Sequence, residues 1–398
     1  MKFFQRGEFK LLWPFYLEYF LSSVLFILPA FMIVYFSDIG LSAFHMGILY
    51  AIWPLTALIF EIPTGAFADL YGRKKSVLLG YFFEALAILS LFFWKDFKLM
   101  LLSFAFLGFA STFSSGSKDA WIVDIINKKD KKMMHGFFNK MQFFICGGLV
   151  FSGIFGAFLV KNYGLNIIWI VTFFSYIFSI IFLYFFTKED YLRKKANLSE
   201  SLLKLKNQAK KSLSYSYNHP VLFYIIFAGM IAALSINLQG GIAWIPLLKD
   251  LGMKEYYFGY LWSIMALIMA ISPIFAVKFL KRGKEINFTI LALILGAITI
   301  TLVLLIHNIV LALIVMLFGL FFYSSREPSV EVYFHRFVPS KLRATIGSVK
   351  NMMFSIVIII VLPLEGWLVD NIGPKYTIFI SAILMIPAII LYYKIKEK

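Results

Sequence analysis

Charged residues and cysteines are both scarce in this chain of 398 residues. Only 15% of the residues are charged and one residue, Cys146, is a cysteine, whereas 61% are apolar and 19% are aromatic. A soluble globular domain has about 25% charged and about 45–50% apolar residues. A single cysteine excludes an intrachain disulfide framework. The shortage of charge excludes an ordinary soluble fold and indicates an integral membrane protein.

About a dozen apolar runs are long enough to cross a bilayer, which requires about 20 residues each. Because isolated strands cannot satisfy their backbone groups in lipid, each run predicts a helix. The first run is too long for a signal-peptide core and has no small-residue cleavage site after it, so we expect it to be retained. The predicted spans are 11–36, 44–68, 76–94, 98–126, 133–160, 166–187, 220–248, 256–279, 286–306, 309–334, 343–369 and 374–393.

The net charge of +17 has an uneven distribution along the chain. Alternate loops and both ends hold 29 of the 38 lysines and arginines. Under the positive-inside rule, this set is cytoplasmic, which places both termini in the cytoplasm of a prokaryotic cell with the spans in its inner membrane. Membrane topology therefore explains the basic pI, and no nucleic-acid partner is expected. The expected partners are membrane lipids and a small-molecule substrate, and the chain is expected to be a monomer.

The longest polar break, 188–219, divides the spans into six and six. We therefore predict an N-terminal bundle at 1–187, a cytoplasmic linker at 188–219 and a C-terminal bundle at 220–398. Within the linker, Asn197–Glu200 is typical of a capping box, and the leucines that follow recur at helical spacing. This pattern favours an amphipathic helix on the inner membrane surface, and a disordered linker is the alternative.

The two halves contain related segments. Ser117-Lys118-Asp119 in the fourth span matches Ser325-Arg326-Glu327 in the tenth, and other matches keep a similar offset. Internal repeats of this kind are typical of transporters. The sequence therefore predicts an all-α integral membrane protein, with twelve transmembrane helices in two pseudo-symmetric six-helix bundles.

A glycine-rich basic motif follows the second span. It reads Gly65-Ala-Phe-Ala-Asp69-Leu-Tyr-Gly72-Arg73-Lys74-Lys75. The motif resembles the cytoplasmic signature of the major facilitator superfamily, Gly-x-x-x-Asp-x-x-Gly-Arg-Lys/Arg. The six-plus-six plan extends the resemblance over the whole chain, and its flanking residues look most like the drug-efflux and uncharacterised branches. This resemblance implies transport by alternating access.

Each position of the motif has a physical role. Gly65 permits close helix approach, and Gly72 permits a tight turn. Asp69 is suited to accept hydrogen bonds at the N-terminus of a neighbouring helix. The resemblance implies that this helix is the eleventh span, near Gly347.

The basic residues of the motif also have expected partners. The resemblance implies that Arg73 pairs with an acid at the inner end of the fourth span, where Asp124 lies. The resulting Asp69–Arg73–Asp124 cluster would latch the halves on the cytoplasmic side. Lys74 belongs to the same gate motif, although it could simply anchor topology.

Ionisable side chains inside spans are functional candidates because they are costly in lipid. Glu18 is the first candidate for coupling, since the first helix lines the cavity in the superfamily that the chain resembles. Lys118–Asp119 and Arg326–Glu327 could instead be internal salt bridges, and Glu84 is expected to be structural. The candidates for coupling or substrate binding are Glu18, Glu61, Lys118, Asp119, Arg326 and Glu327.

These features predict a proton-coupled exporter of small organic or amphipathic compounds, driven by a proton gradient or by Na+. A proton-coupled uptake symporter, a transporter of lipid-like substrates and a non-transporting sensor or scaffold are the alternatives. The fifth span is glycine-rich around Cys146 but lacks the proline common in drug antiporters, which weakens export by antiport. The sequence has no nucleotide-binding loop, metal-ligand spacing or Ser–His–Asp pattern, so neither enzymatic activity, a cofactor nor a metal is expected.

Overall fold

The computed structural model describes residues 4–189, 217, 219–279, 283–339 and 342–396. In these ranges the chain is all-helical, with no strand. The α-helices are α1 Glu8–Leu25, α2 Leu28–Asp38, α3 Ala43–Tyr71, α4 Arg73–Phe93, α5 Phe97–Ser114, α6 Ser117–Lys129, α7 Met133–Tyr163, α8 Ile167–Phe186, α9 Pro220–Leu238, α10 Gly241–Asp250, α11 Tyr257–Phe279, α12 Glu285–Thr301, α13 Ile309–Phe337, α14 Arg343–Ile372 and α15 Pro374–Lys396. A 3₁₀-helix, Leu302–Leu305, continues α12.

Twelve helical stretches in the described ranges are long and apolar enough to cross a membrane. The prediction of an all-α membrane protein with twelve spans is confirmed. The predicted amphipathic helix of the linker lies outside the described residues.

Three predicted spans are not single helices, which corrects the expectation of one continuous helix in each. The first span breaks between α1 and α2, the fourth between α5 and α6, and the seventh between α9 and α10. The fourth span breaks because Gly116 has a φ of +67°, which a side chain disfavours. Short local bonds re-satisfy the backbone there, as from the Ser117 amide to the Ser115 carbonyl at 2.7 Å. Breaks are tolerated in membrane helices when the freed groups find such partners.

The chain forms two compact units. The first unit comprises Met1–Tyr35, Ile52–Ser201 and Glu255–Ala266, and the second comprises Phe36–Ala51, Leu202–Lys254 and Leu267–Lys398. Helix α3 therefore contributes to both units. The division predicted at 188–219 falls largely outside the described residues and stays a prediction.

Each unit has its own apolar core. In the first unit, α1 packs on α7 and α8, and α4 packs on α5 and α8. Its core includes Trp121 and Phe15, whose rings meet edge to face at 5.1 Å. In the second unit, α15 packs on α9 and α12, and α12 also packs on α13. Its core includes Phe334 and Tyr392, both fully or almost fully buried.

Successive spans alternate direction, so each unit has two ends. In each unit we term one end the basic face: it carries the turns at Gly72, 130–132 and 187–189 in the first unit, and those at 283–284 and 338–339 in the second. The other end of each unit is its opposite face: it carries the turns at 94–96 and 164–166 in the first unit, and those at 39–42, 306–308 and Gly373 in the second. The basic motif lies on the basic face of the first unit.

Candidate functional site

The motif loop is a one-residue turn between α3 and α4. Gly72 has a φ of +106°, so the tight turn predicted at this glycine is present. Among the described residues, no atom lies within 4 Å of the position that a Cβ of Gly65 would take, and the close helix approach predicted at this glycine stays a prediction. Glu61, Gly65 and Asp69 lie together on an exposed face of α3. Close backbone approaches on this helix occur at Gly47, against α14, and at Trp53, against Gly108 of α5.

Arg73 lies between the two acids predicted to surround it. Its Nη1 donates to Asp124 Oδ2 at 2.6 Å and to the Ala120 carbonyl at 2.6 Å. Its Nη2 is 3.9 Å from Asp69 Oδ1, one helical turn earlier. The guanidinium therefore ties the start of α4 firmly to α6 and only loosely to the end of α3. The predicted contact between Asp69 and the eleventh span stays a prediction.

A reciprocal cap between α4 and α8 joins the motif to the end of the sixth span. The sequence did not predict this contact. Glu189 accepts from the amides of Arg73 and Lys74 at 2.7 and 3.0 Å, which satisfies the N-terminus of α4. Lys74 Nζ donates to the carbonyls of Thr187 and Tyr184 at 2.6 and 3.0 Å, which satisfies the C-terminus of α8. Each charge lies at the helix end whose dipole it complements.

A cavity of about 550 Å³ opens beside these groups within the first unit. Asp69, Arg73 and Asp124 line it together with Glu189, while Trp121 and other aromatic side chains provide an apolar wall. The motif cluster therefore borders accessible space on the basic face.

Deeper in the first unit, Glu18 and Lys118 form a buried ion pair. Lys118 Nζ is 2.5 Å from Glu18 Oε2, and both side chains are almost fully shielded. Lys118 also donates to the Tyr81 hydroxyl at 3.1 Å and lies 3.6 Å from the centroid of the Tyr19 ring. The idea of an internal Lys118–Asp119 bridge is wrong, because Lys118 is held by helix α1 instead.

The break before α6 and the helical spacing of its charged residues explain how Lys118 is positioned. Lys118 lies in the first turn of α6, directly after the break at Gly116. Asp119, one residue on, is exposed and receives a long bond of 3.4 Å from the Tyr19 hydroxyl. Asp124 occupies yet another face, beside Arg73. The three charges of α6 thus point in different directions, as a step of about 100° per residue requires.

A second buried carboxylate lies near the pair. Glu84 on α4 accepts from Ser114 Oγ at 3.0 Å, and Ser114 is the last residue before the break in the fourth span. This contact connects α4 to α5, which is consistent with the structural role expected of Glu84.

The second unit contains the related charged segment of α13. Arg326 Nη2 lies 2.9 Å from Glu327 Oε1, so these two residues form the internal salt bridge that was the alternative to a substrate-binding role. Lys350 on α14 pairs with Glu331, one turn further along α13, and His335 Nε2 lies 3.6 Å from the same carboxylate.

Two acids of α14, whose partners the sequence did not suggest, cap helix N-termini toward the opposite face of the second unit. Glu365 is fully buried and accepts from the Ala243 amide at 3.0 Å, in the first turn of α10. Asp370 accepts from the amides of Ala43 and Phe44 at 2.9 Å each, at the start of α3. Their partners are more than a hundred residues away in the chain, so no local signal could have found them.

Metal binding finds no support in the part of the chain that the structure describes, which holds no group of three or more His, Cys, Asp or Glu side chains arranged as ligands.

Comparison with known proteins identifies the family. The family model of the Major Facilitator Superfamily matches residues 15–361. The chain belongs to the major facilitator superfamily. This membership agrees with the motif loop and with the twelve spans, which together indicate a multi-pass membrane protein.

Two curated members of the superfamily are similar in sequence. The uncharacterized MFS-type transporter YxaM of Bacillus subtilis is 26% identical over 250 residues, covering 61% of this chain and 59% of that protein. The uncharacterized MFS-type transporter MJ1560 of Methanocaldococcus jannaschii is 26% identical over 141 residues, covering 35% of this chain and 36% of that protein. In both alignments the chain spans less than two thirds of its relative.

A solved structure has the same fold. The nucleoside transporter NupG aligns with a TM-score of 0.76 at 14% identity, covering 96% of this chain and 99% of that chain. The likeness at this identity is one of architecture.

Proposed function

We propose that this superfamily member is a proton-coupled exporter of small amphipathic organic compounds, with Glu18 and Lys118 as its coupling pair. The observation that carries the proposal is the buried contact between these side chains, made by two spans that are both broken helices. Discontinuous helices are typical of the substrate and ion sites of secondary transporters.

The energetics of the pair suit coupling. Glu18 Oε1 has no hydrogen-bond partner among the described residues, so the carboxylate is stabilised mainly by Lys118. A proton on Glu18 removes the charge that balances the lysine, and a buried charge without its partner costs about 3–5 kcal/mol. Proton binding therefore favours a rearrangement that rehydrates or re-pairs Lys118.

Two tyrosines beside Lys118 can hold its ammonium when Glu18 is protonated. The Tyr81 hydroxyl accepts from its ammonium, and the Tyr19 ring lies under it at cation–π distance. The junction at Gly116 lies two residues before Lys118, so α6 can reorient as a unit about its first turn. In this mechanism the proton controls where the lysine charge lies, and that position biases the exchange between access states.

The motif cluster on the basic face supports the orientation that we propose, with this face cytoplasmic in a prokaryotic inner membrane. Arg73, bound to Asp124 and flanked by Asp69, supplies a latch whose contacts change as the cavity opens and closes. The reciprocal cap of Glu189 and Lys74 holds α4 and α8 together, so that the latch moves as one body.

The test is proton movement in proteoliposomes that hold a preset pH gradient. Lipophilic cations, sugars, amino acids and organic acids are added one at a time. We expect one class to dissipate the gradient, and we expect Glu18→Gln to abolish that movement.

The matched control is Glu8→Gln, the same change in the same helix. Glu8 is also buried and is paired with Lys140 at 2.6 Å, but it lies at the basic end of α1. Proton movement that survives in Glu18→Gln, or that is lost equally in both variants, would contradict the coupling role.

A further inference from the structure

Arg326 in the second unit is a buried cation with unused hydrogen-bonding capacity. Its side chain is 4% exposed, and among the described residues its Nε and Nη1 have no hydrogen-bond partner. Buried polar groups are usually satisfied, and an unpaired donor on a charged group is more costly than one on a neutral group. An arginine held in this state has donors available to an anion.

Glu327 cannot saturate this guanidinium. Adjacent residues on a helix point about 100° apart, and the carboxylate reaches a single amino group, Nη2. The remaining donors of the planar guanidinium are left for a group from outside the helix, and a carboxylate matches their geometry.

The surroundings of Arg326 contain further unsatisfied polar groups. In the described part of the second unit, the Tyr392 hydroxyl and Ser329 Oγ also have no hydrogen-bond partner, although both residues are fully buried. Tyr392 on α15 packs in the same apolar cluster as Phe334 of α13, the helix that carries Arg326. Ser329 lies one turn after Arg326 on α13. These two hydroxyls are further hydrogen-bond donors for a ligand of Arg326.

The same region has aromatic side chains and an exposed edge at Glu327. The centroid of the Tyr323 ring lies 4.6 Å from the guanidinium carbon. Phe354 and the Tyr392 hydroxyl both approach Gly229, where a Cβ would be 2.9 Å from Phe354 Cζ and 3.9 Å from the hydroxyl. The Glu327 side chain is 44% exposed, while that of its partner Arg326 is 5% exposed. The ion pair therefore spans the boundary between accessible space and the packed interior.

We propose that Arg326 is the anchor for the carboxylate of an amphipathic monocarboxylate, whose apolar body packs on the aromatic side chains around it. One unsaturated guanidinium suits a single anionic head group, because the neighbouring Lys350 is already paired with Glu331. This inference rests on the proposed transport function and names the class of its substrate.

Binding to the purified full-length protein in detergent tests the site without any proton gradient. The probes are decanoate, 1-naphthoate and salicylate, each compared with its uncharged methyl ester. We expect the acids to bind and the esters to bind at least about tenfold more weakly, since charge-assisted hydrogen bonds are lost.

Substitutions identify the residue. Arg326→Gln should weaken binding of the acids by about tenfold to a hundredfold and should leave binding of the esters unchanged. Arg326→Lys should fall between, because a lysine keeps the charge without the planar fork. The matched control is Arg336→Gln on the same helix, which removes an arginine that pairs with Glu285 and should leave acid binding intact. The melting temperature of each unliganded variant reports whether it is folded.

The proposal is overturned if none of the three acids binds the wild-type protein, if esters bind as tightly as acids, or if a folded Arg326→Gln binds acids normally. If Arg326→Gln does not fold, Arg326→Lys decides the matter, since unchanged acid binding there would also refute the site. Glu18→Gln separates the two proposals. If it abolishes proton movement but still binds decanoate, both stand. If its proton movement remains, only the coupling role fails.

Discussion

The buried pair of Glu18 and Lys118 allows a quantitative prediction about stability. Lys118→Met leaves the Glu18 carboxylate buried, with Oε1 already lacking a partner in the described structure. We expect a loss near the upper end of about 3–5 kcal/mol. Glu18→Gln leaves a lysine that still contacts Tyr81 and the Tyr19 ring, and a desolvated cation–π contact contributes about 2 kcal/mol. The stability lost in Glu18→Gln should therefore lie near the lower end of the same range.

The double variant tests whether Glu18 and Lys118 stabilise each other. Replacing both members of a buried pair by neutral groups of similar volume is often nearly neutral, so the doubly substituted protein should be more stable than either single variant. If the double variant is nearly neutral, the coupling energy equals the sum of the two single losses, about 8 kcal/mol. Melting of the detergent-solubilised protein, followed by intrinsic fluorescence, gives the order of stability.

A control and a refuting result complete this test. Lys95 is exposed at the turn before α5, so Glu18→Gln combined with Lys95→Met should show simple additivity. Additivity in the Glu18→Gln and Lys118→Met combination as well would show that the two side chains do not stabilise each other, and the coupling mechanism would lose its basis.

Three further predictions concern other parts of the fold. Asp69→Asn should reduce flux in proteoliposomes while leaving insertion and substrate binding intact, and flux at the wild-type rate would remove the latch. Asp370→Asn should lower stability by about 1 kcal/mol, because the start of α3 loses an anionic cap, whereas Asp250→Asn, at an exposed helix end, should change it little; equal melting temperatures would contradict the cap. Gly47→Ala should destabilise by about 1–3 kcal/mol, since its Cβ would collide with a backbone carbonyl of α14, and Gly65→Ala on the same helix should be tolerated; the reverse order would contradict the packing.

Much of the architecture was predictable from local properties of the chain. Hydropathy located the twelve spans because lipid forces every backbone group in a span to pair internally. The loop motif identified the family, since glycine at position 72 is required by its backbone geometry, whatever the neighbouring residues. The separate directions of Lys118, Asp119 and Asp124 followed from helical geometry.

The details of the candidate site were less predictable. Close backbone approaches on α3 lie at Gly47 and at Trp53, opposite Gly108, and the sequence pointed to neither. Lys118 was considered as a partner of Asp119, its neighbour in sequence, whereas the fold places it against Glu18. The acid that caps α4 is Glu189, which lies over a hundred residues after the motif.

The sequence by itself determined the class of the protein, because the transfer of apolar side chains into lipid and the placement of basic loops depend on composition and local order. The tertiary structure decided which charges meet, which spans break and which buried donors, such as those of Arg326, stay unsatisfied. These outcomes depend on distances between helices that are remote in the chain, and a short-range pattern holds no information about such distances.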